Sequence, residues 1–461
     1  MQGFPLEVQK NLVEQLEQQL PGLQVIDREN FQLLGAAMFD DSVDSTLQDK
    51  VDTLSTMYER LPLMSSHAAV TLLQHSLGVQ KVVYFLRTSP GFSCPTSCRD
   101  LDKAVIKALE RCLNLSFSSS AAAQLQLPIS KGGLGIRSAE ALALPCFLSS
   151  SYGSIEMVRL CMNDLGAIPT GLREALEQWT TTVGPAIPMD SREFQKEWDN
   201  ALGDTIMKRL LAEDTSDLTR ARLTHVSQKE SGLFLTAVPS PNVGTLLNNE
   251  QLRASLALRL GLPLYEKHPC ACGRTVDTRG LHKLSCSQYA LQRQARHDHV
   301  NDVLARALRQ AGVTNRLEPQ GLCADDAIRP DGVTIMPWSA GRALTWDVTI
   351  RDTYAATHLP YASRAVGHAS SKAEREKRQK YLPLLNSYTF VPFAIESSGV
   401  WGGEAREFAR QIGQRITQLT GEVKATQFLC QRISIEVARG TAALLMEGLP
   451  QGEDLHELFL T

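Results

Sequence analysis

Apolar positions recur every three or four residues through most of the first 160 residues, the spacing of one buried helix face. The segments "HAAVTLLQHSLGVQKVVYFLRT", "LDKAVIKALERCLNLSF" and "AEALALPCFLSS" each read as a helix of this kind. Between the last two lies "LPISKGGLGIRSAEALALP", where Gly132, Gly133 and Gly135 break the pattern and permit a tight turn. Ser138 then has the character of a helix N-cap, with Glu140 in the first turn. From about residue 151 to 264 the pattern predicts a helical linker region, with a loop at "TAVPSPNVGTLLNN" and a helix at "NEQLRASLALRLGL". No internal repeat or low-complexity tract interrupts it.

The C-terminal third changes period. A short Cys/His-rich stretch leads into a helix, "RHDHVNDVLARALRQAG", which Gly312 closes. Three strand-like runs follow, "NRLEPQGL", "GVTIMPW" and "ALTWDVTI". A charged helix around Glu374 to Leu385, a strand in "SYTFVPFAIES" and a helical region from about Glu404 onward complete the chain. The order αβββαβ predicts a mixed α/β core.

Composition changes this picture little. With 461 residues, 43% of them hydrophobic, the chain has room for two or three packed domains and is not disordered. The net charge of −3 names no partner, but its distribution is uneven. Residues 266–384 hold eighteen Lys and Arg against twelve Asp and Glu, half of that excess within "SKAEREKRQK". A basic region inside an acidic chain suggests a polyanionic partner. The start, "MQGFPLEVQKNLVEQLEQQL", lacks the pattern of a signal peptide, and no apolar run is long enough to span a membrane. With ten scattered cysteines, the expectation is an intracellular chain with reduced thiols.

Two constellations carry chemistry. "CACGRTVDTRGLHKLSC" supplies Cys270, Cys272, His282 and Cys286, a soft ligand set of the size a closed structural zinc site uses, with Gly273 and Gly280 for the turns. Core cysteines beside a surface histidine would give the same letters. Cys94 and Cys98 have no such company. In the second constellation Asp331 follows Pro330 directly, and Asp347 lies sixteen residues on, inside "LTWDVTI". An aspartate that begins one strand and another inside the next can converge at one end of a hairpin. Converging carboxylates hold a hard cation such as Mg2+, which activates water and stabilises a leaving phosphate oxygen. Nuclease sites of this kind add a cationic side chain, in the simplest case a lysine two residues after the second acid. Thr349 stands there instead, and the nearest suitable lysines lie in "AEREKRQKYLPLL". Lys377 and Tyr381 are four apart on one helix face, with Lys380 on a neighbouring face. Turn or edge aspartates and a solvated basic helix are the bland alternative.

"RPDGVTIMPW…LTWDVTI", preceded by the Cys-Cys-His-Cys knuckle and followed by Lys and Tyr on a helix, resembles the restriction-like endonuclease of site-specific non-LTR retrotransposons, a member of the PD-(D/E)XK superfamily. The likeness covers about residues 266–400. "FQLLGAAMFDDSVDSTLQDKV" and "LPISKGGLGIRSAEALALP" are similar to the segments that follow the palm of these reverse transcriptases and run into the thumb. "AMFDD" is not the polymerase motif, because Met38 stands where an aromatic residue should be, and a surface loop is expected at Asp40 and Asp41. The resemblance therefore implies a multi-domain chain without fingers or palm, the downstream part of a longer polyprotein or a truncated copy. It implies a mostly α post-palm and thumb-like region over 1–150, a helical linker over 151–265, a zinc knuckle over 266–290 and an α/β restriction-endonuclease-like domain over 291–461. By position it makes Asp331 and Asp347 ligands of Mg2+ or Mn2+, Lys377 and Tyr381 the catalytic helix pair, and Cys270, Cys272, His282 and Cys286 ligands of structural Zn2+. Lys380 remains an alternative to Lys377. The implied function is nicking of double-stranded target DNA to prime reverse transcription of the element's RNA, with no membrane partner and a nuclear location. A remnant that binds nucleic acid without cutting it, in the cytoplasm, is the alternative.

Overall fold

The structure, a computed structural model, describes residues 6–20, 31–162, 170–184, 194–323 and 328–447, with the single positions 22, 28 and 192. The described chain is mostly helical with one small mixed sheet. It forms two compact units, one from residues 1–57, 79–104 and 138–201, the other from 58–78, 105–137 and 202–461. No helix among the described residues is long and apolar enough to cross a membrane.

The first unit is built on helices such as Ala139–Met162 and Thr170–Thr182, with a small hairpin pairing Gln32–Leu33 with Ala36–Ala37. Ser138 does cap its helix, accepting from the Ala141 N–H at 3.0 Å. The buried Asp102 accepts from the Ala139 N–H at 2.7 Å, satisfying another donor that the helix start leaves open. Asp40 and Asp41 are exposed, and Asp41 pairs with Arg28 at 2.9 Å, so "AMFDD" is indeed a surface turn leading into a helix.

The second unit holds the αβββαβ array. Its elements are α1 (Ala290–Gln310), β1 (Asn315–Leu317), β2 (Gly332–Ser339), β3 (Arg342–Arg351), α2 (His368–Lys380), β4 (Thr389–Glu396), α3 (Gly403–Thr420) and α4 (Ala425–Met446). The sheet order is β1-β2-β3-β4, antiparallel except for the parallel pair β3/β4. Val300, Leu304 and Leu308 recur at helical spacing along α1, and Leu344, Trp346 and Val348 alternate along β3. With Phe393 and Ile395 of β4, Phe408 and Ile412 of α3, and Ile433 of α4, they form one core. Each such side chain contributes roughly 1.5–3 kcal/mol when fully buried. The other face of β3 and β4 is covered by α2. Thr345, Asp347 and Thr349 lie on that face, because successive strand residues point to opposite sides.

In the first 160 residues the segment 67–88, expected as one helix, is two, Ser66–His75 and Val83–Thr88, separated by a 3-10 turn at Val79–Lys81. Two elements of the αβββαβ array also depart from the expected bounds. β1 stops at Leu317 because Glu318 takes a positive φ of 46° and Pro319 follows. The charged helix begins earlier than expected, after Gly367 at φ 76°, and ends at Lys380. Pro383 cannot continue the helical hydrogen bonds, so residues Leu382–Leu384 close into a 3-10 turn.

Candidate functional site

Asp331 is fixed by the main chain on both sides. Its N–H donates to the Trp346 carbonyl at 3.0 Å, and its own carbonyl accepts from Glu318 N–H at 2.9 Å. It lies one residue before the Gly332–Trp346 pair of the β2/β3 ladder. A side chain at position 332 would start 2.0 Å from the Trp346 indole, so only glycine fits after this aspartate. The indole N–H donates to Asn301 Oδ1 at 2.8 Å, and Asn301 Nδ2 reaches back to the Asp331 carbonyl at 3.4 Å. A core tryptophan and a buried amide on α1 thus set where this carboxylate begins.

Asp347 is central to the polar side of β3. Its side chain is 5% exposed, against 18% for Asp331. Lys377 Nζ lies 2.5 Å from its Oδ1, and the Tyr381 hydroxyl donates to Oδ2 at 2.5 Å. No donor meets Oδ1 with hydrogen-bond geometry beyond that ion pair. Burial, and then the charge of Asp331, push the Asp347 carboxyl above the usual range, while Lys377 and Tyr381 pull it down. Burial and the same carboxylate raise the Tyr381 phenol far above its ordinary value, so it stays a donor. Its ring is fully buried and rests on Phe390 at 4.5 Å between centroids. Asp331 Oδ2 accepts from the Val348 N–H at 2.5 Å, which holds this carboxylate against the β3 backbone one residue after Asp347.

All four residues singled out in the sequence therefore meet at one end of the hairpin. Lys380 does not reach Asp347 in the same way: its Nζ lies 3.5 Å from the Tyr381 hydroxyl and 5.0 Å from the ring centroid. Thr349 stands where the simplest pattern has lysine, and its buried hydroxyl has no hydrogen-bond partner among the described residues. Two contributors escaped the sequence reading, His297 and Asn301. His297 Nε2 lies 2.9 Å from Asp331 Oδ2. Burial works against its protonation, but the hydrogen bond and charge of Asp331, then those of Asp298, raise it to about 9. For Asn301 the available signal was its place beside the apolar stripe of α1, where a buried amide must have a partner, and His297 offered none.

The second cluster lies in the same unit. A hairpin of His268–Pro269 with Thr275–Val276 carries Cys270 and Cys272, turning at Gly273 with φ 84°. The short helix Leu281–Ser285 carries His282, and Cys286 follows it. The four ligand atoms lie within 4.8 Å of one another, with Cys270 and Cys286 sulfurs 3.8 Å apart. A tetrahedral zinc with Zn–S of about 2.3 Å has ligand–ligand edges of about 3.8 Å. The backbone N–H of Cys272 draws the Cys270 thiol down to about 6, toward the thiolate a metal needs. This Cys3His set could hold a metal such as zinc. Lys283, between the ligands, is fully buried and donates to the carbonyls of Leu445 at 3.0 Å and Glu447 at 2.8 Å, which ties the knuckle to the end of α4.

The chain is similar to the retrotransposable element SLACS 132 kDa protein of Trypanosoma brucei gambiense, 26% identical over 241 residues that cover 48% of this chain and 20% of that protein. In sequence, then, it is related to retrotransposon proteins, and it spans about a fifth of the length of the curated relative it matches. No protein-family model matches it.

Proposed function

We propose that the β2–β3 hairpin is the active site of a metal-dependent DNA endonuclease of the PD-(D/E)XK type, serving a retrotransposon. The observation that carries this reading is the convergence of Asp331, Asp347 and Lys377. The carboxylates suit a hard cation: they repel one another, and among the described residues the buried Asp347 Oδ1 meets only the Lys377 ammonium. Mg2+ or Mn2+ held between Asp331 and Asp347 would lower the pKa of a bound water and stabilise the leaving phosphate oxygen. Lys377 offsets the charge of Asp347 and stands ready to orient the nucleophile or meet the phosphate. Tyr381 locks the Asp347 carboxylate in one orientation. The Cys270, Cys272, His282 and Cys286 knuckle, loaded with structural zinc, and the basic residues around α2 hold double-stranded DNA through its phosphates, which position without reading sequence. A nick exposes a 3′ hydroxyl from which the element's RNA can be copied, so the place of action is the nucleus.

Incubating the protein with supercoiled plasmid tests this directly. Open circles should form with Mg2+, none with EDTA, and none with Asp347→Asn. Intact plasmid that is nevertheless bound would replace the nuclease with a nucleic-acid-binding protein that does not cut.

A further inference from the structure

His297 lies outside the motif on which the nuclease reading rests, yet it touches the hairpin from another element. It sits on α1, one turn before Asn301. Its Nε2 is 2.9 Å from Asp331 Oδ2, and its Nδ1 is 3.1 Å from Asp298 Oδ1. Gln294, a turn earlier, donates to the same Asp298 oxygen at 2.7 Å. The imidazole is therefore held at both nitrogens. Asp331 Oδ2 also accepts from the Val348 N–H at 2.5 Å, so two donors converge on one oxygen from two different elements. Asp331 Oδ1 has no hydrogen bond among the described residues.

A carboxylate with one oxygen held twice cannot turn freely. The two χ angles of an aspartate are then determined, and the free oxygen has one place to be. We infer that His297 is a positioning residue of the nuclease site, which together with the Val348 N–H occupies Asp331 Oδ2 and reserves Oδ1 for the cation. The inference rests on the nuclease reading of the hairpin. It differs from that reading in assigning a role to α1, which carries none of the motif. Partners that orient metal-binding carboxylates in this way are worth about 10–100-fold in metal affinity or activity.

Two substitutions of similar size and polarity isolate the contact. In His297→Gln the amide nitrogen reaches the place of Nε2, whereas in His297→Asn it reaches only the place of Nδ1. The zinc-loaded full chain is assayed for plasmid nicking with Mg2+ and for Mn2+ affinity by electron paramagnetic resonance, with thermal melting as the control for folding. His297→Asn should fall on the order of tenfold or more below His297→Gln in kcat and in Mn2+ affinity, with similar KM for DNA and similar melting. Equal behaviour of the two variants, or the reverse order, overturns the role of His297 and leaves the nuclease standing. A wild-type chain that neither nicks nor binds Mn2+ removes the nuclease reading and this inference with it.

Discussion

Lys377 sets its ammonium against Asp347 Oδ1, whereas the half-exposed Lys372, earlier on the same helix, pairs with Glu376 at 3.9 Å. The two lysines should fail differently. Lys377→Ala should slow nicking by about two orders of magnitude and leave DNA affinity within a few-fold, because a group poised at developing charge acts in the transition state. Lys372→Ala should instead weaken binding and reduce its salt slope by about one, as one lost phosphate contact does. Nicking rates and binding isotherms over a series of salt concentrations separate these outcomes. Helix spacing put Lys377 one turn before Tyr381 but left Lys380 open as the alternative, and it is Lys377 whose ammonium lies against Asp347. His297 was not legible. Its only link to the site is a contact across 34 residues of chain, and a histidine on a polar helix stretch carries no sign of what it faces.

Strands and helices were read more securely than their ends. The alternation of Leu344, Trp346 and Val348 announces β3, and the two-residue period alone puts Asp347 opposite the core. The early start of α2 was hidden because "HASS" offers no apolar stripe and the charged run drew attention further on. The knuckle was legible from its four ligands, but its anchor was not: a lysine between ligands reads as surface charge, yet Lys283 is fully buried on the α4 carbonyls. Cys272→Ser should lose about one zinc per chain by metal analysis. It should also raise hydrogen exchange across residues 265–290 and the last turn of α4, since structural zinc supplies folding free energy. Exchange confined to the knuckle would mean that Lys283 does not couple the two.

At the scale of the molecule, the division into two interleaved units was not foreseeable from periodicity. Each helical stripe reports that a face is buried but not which part of the chain buries it. The segment 58–78 belongs with residues hundreds of positions later: the Ser66 N–H donates to Asn249 Oδ1 at 2.9 Å, and the helix Asn249–Leu260 packs in turn on the long helix α4. It packs against α1, α3 and the helix Asn249–Leu260, and its Lys283 clamp closes the knuckle. During synthesis the ribosome makes this helix after every other described part of the core. Until it emerges, α1 and α3 can pack on the sheet and on each other, but the apolar surface that α4 covers stays exposed to water, where it favours aggregation. A stop codon just after Thr420 would therefore not trim an appendage. It would leave the hairpin that carries Asp331 and Asp347 complete in sequence but without a folded frame. Expression of residues 1–420 should give aggregated or protease-sensitive material, and a soluble fragment with native melting would show that the earlier elements can assemble without α4.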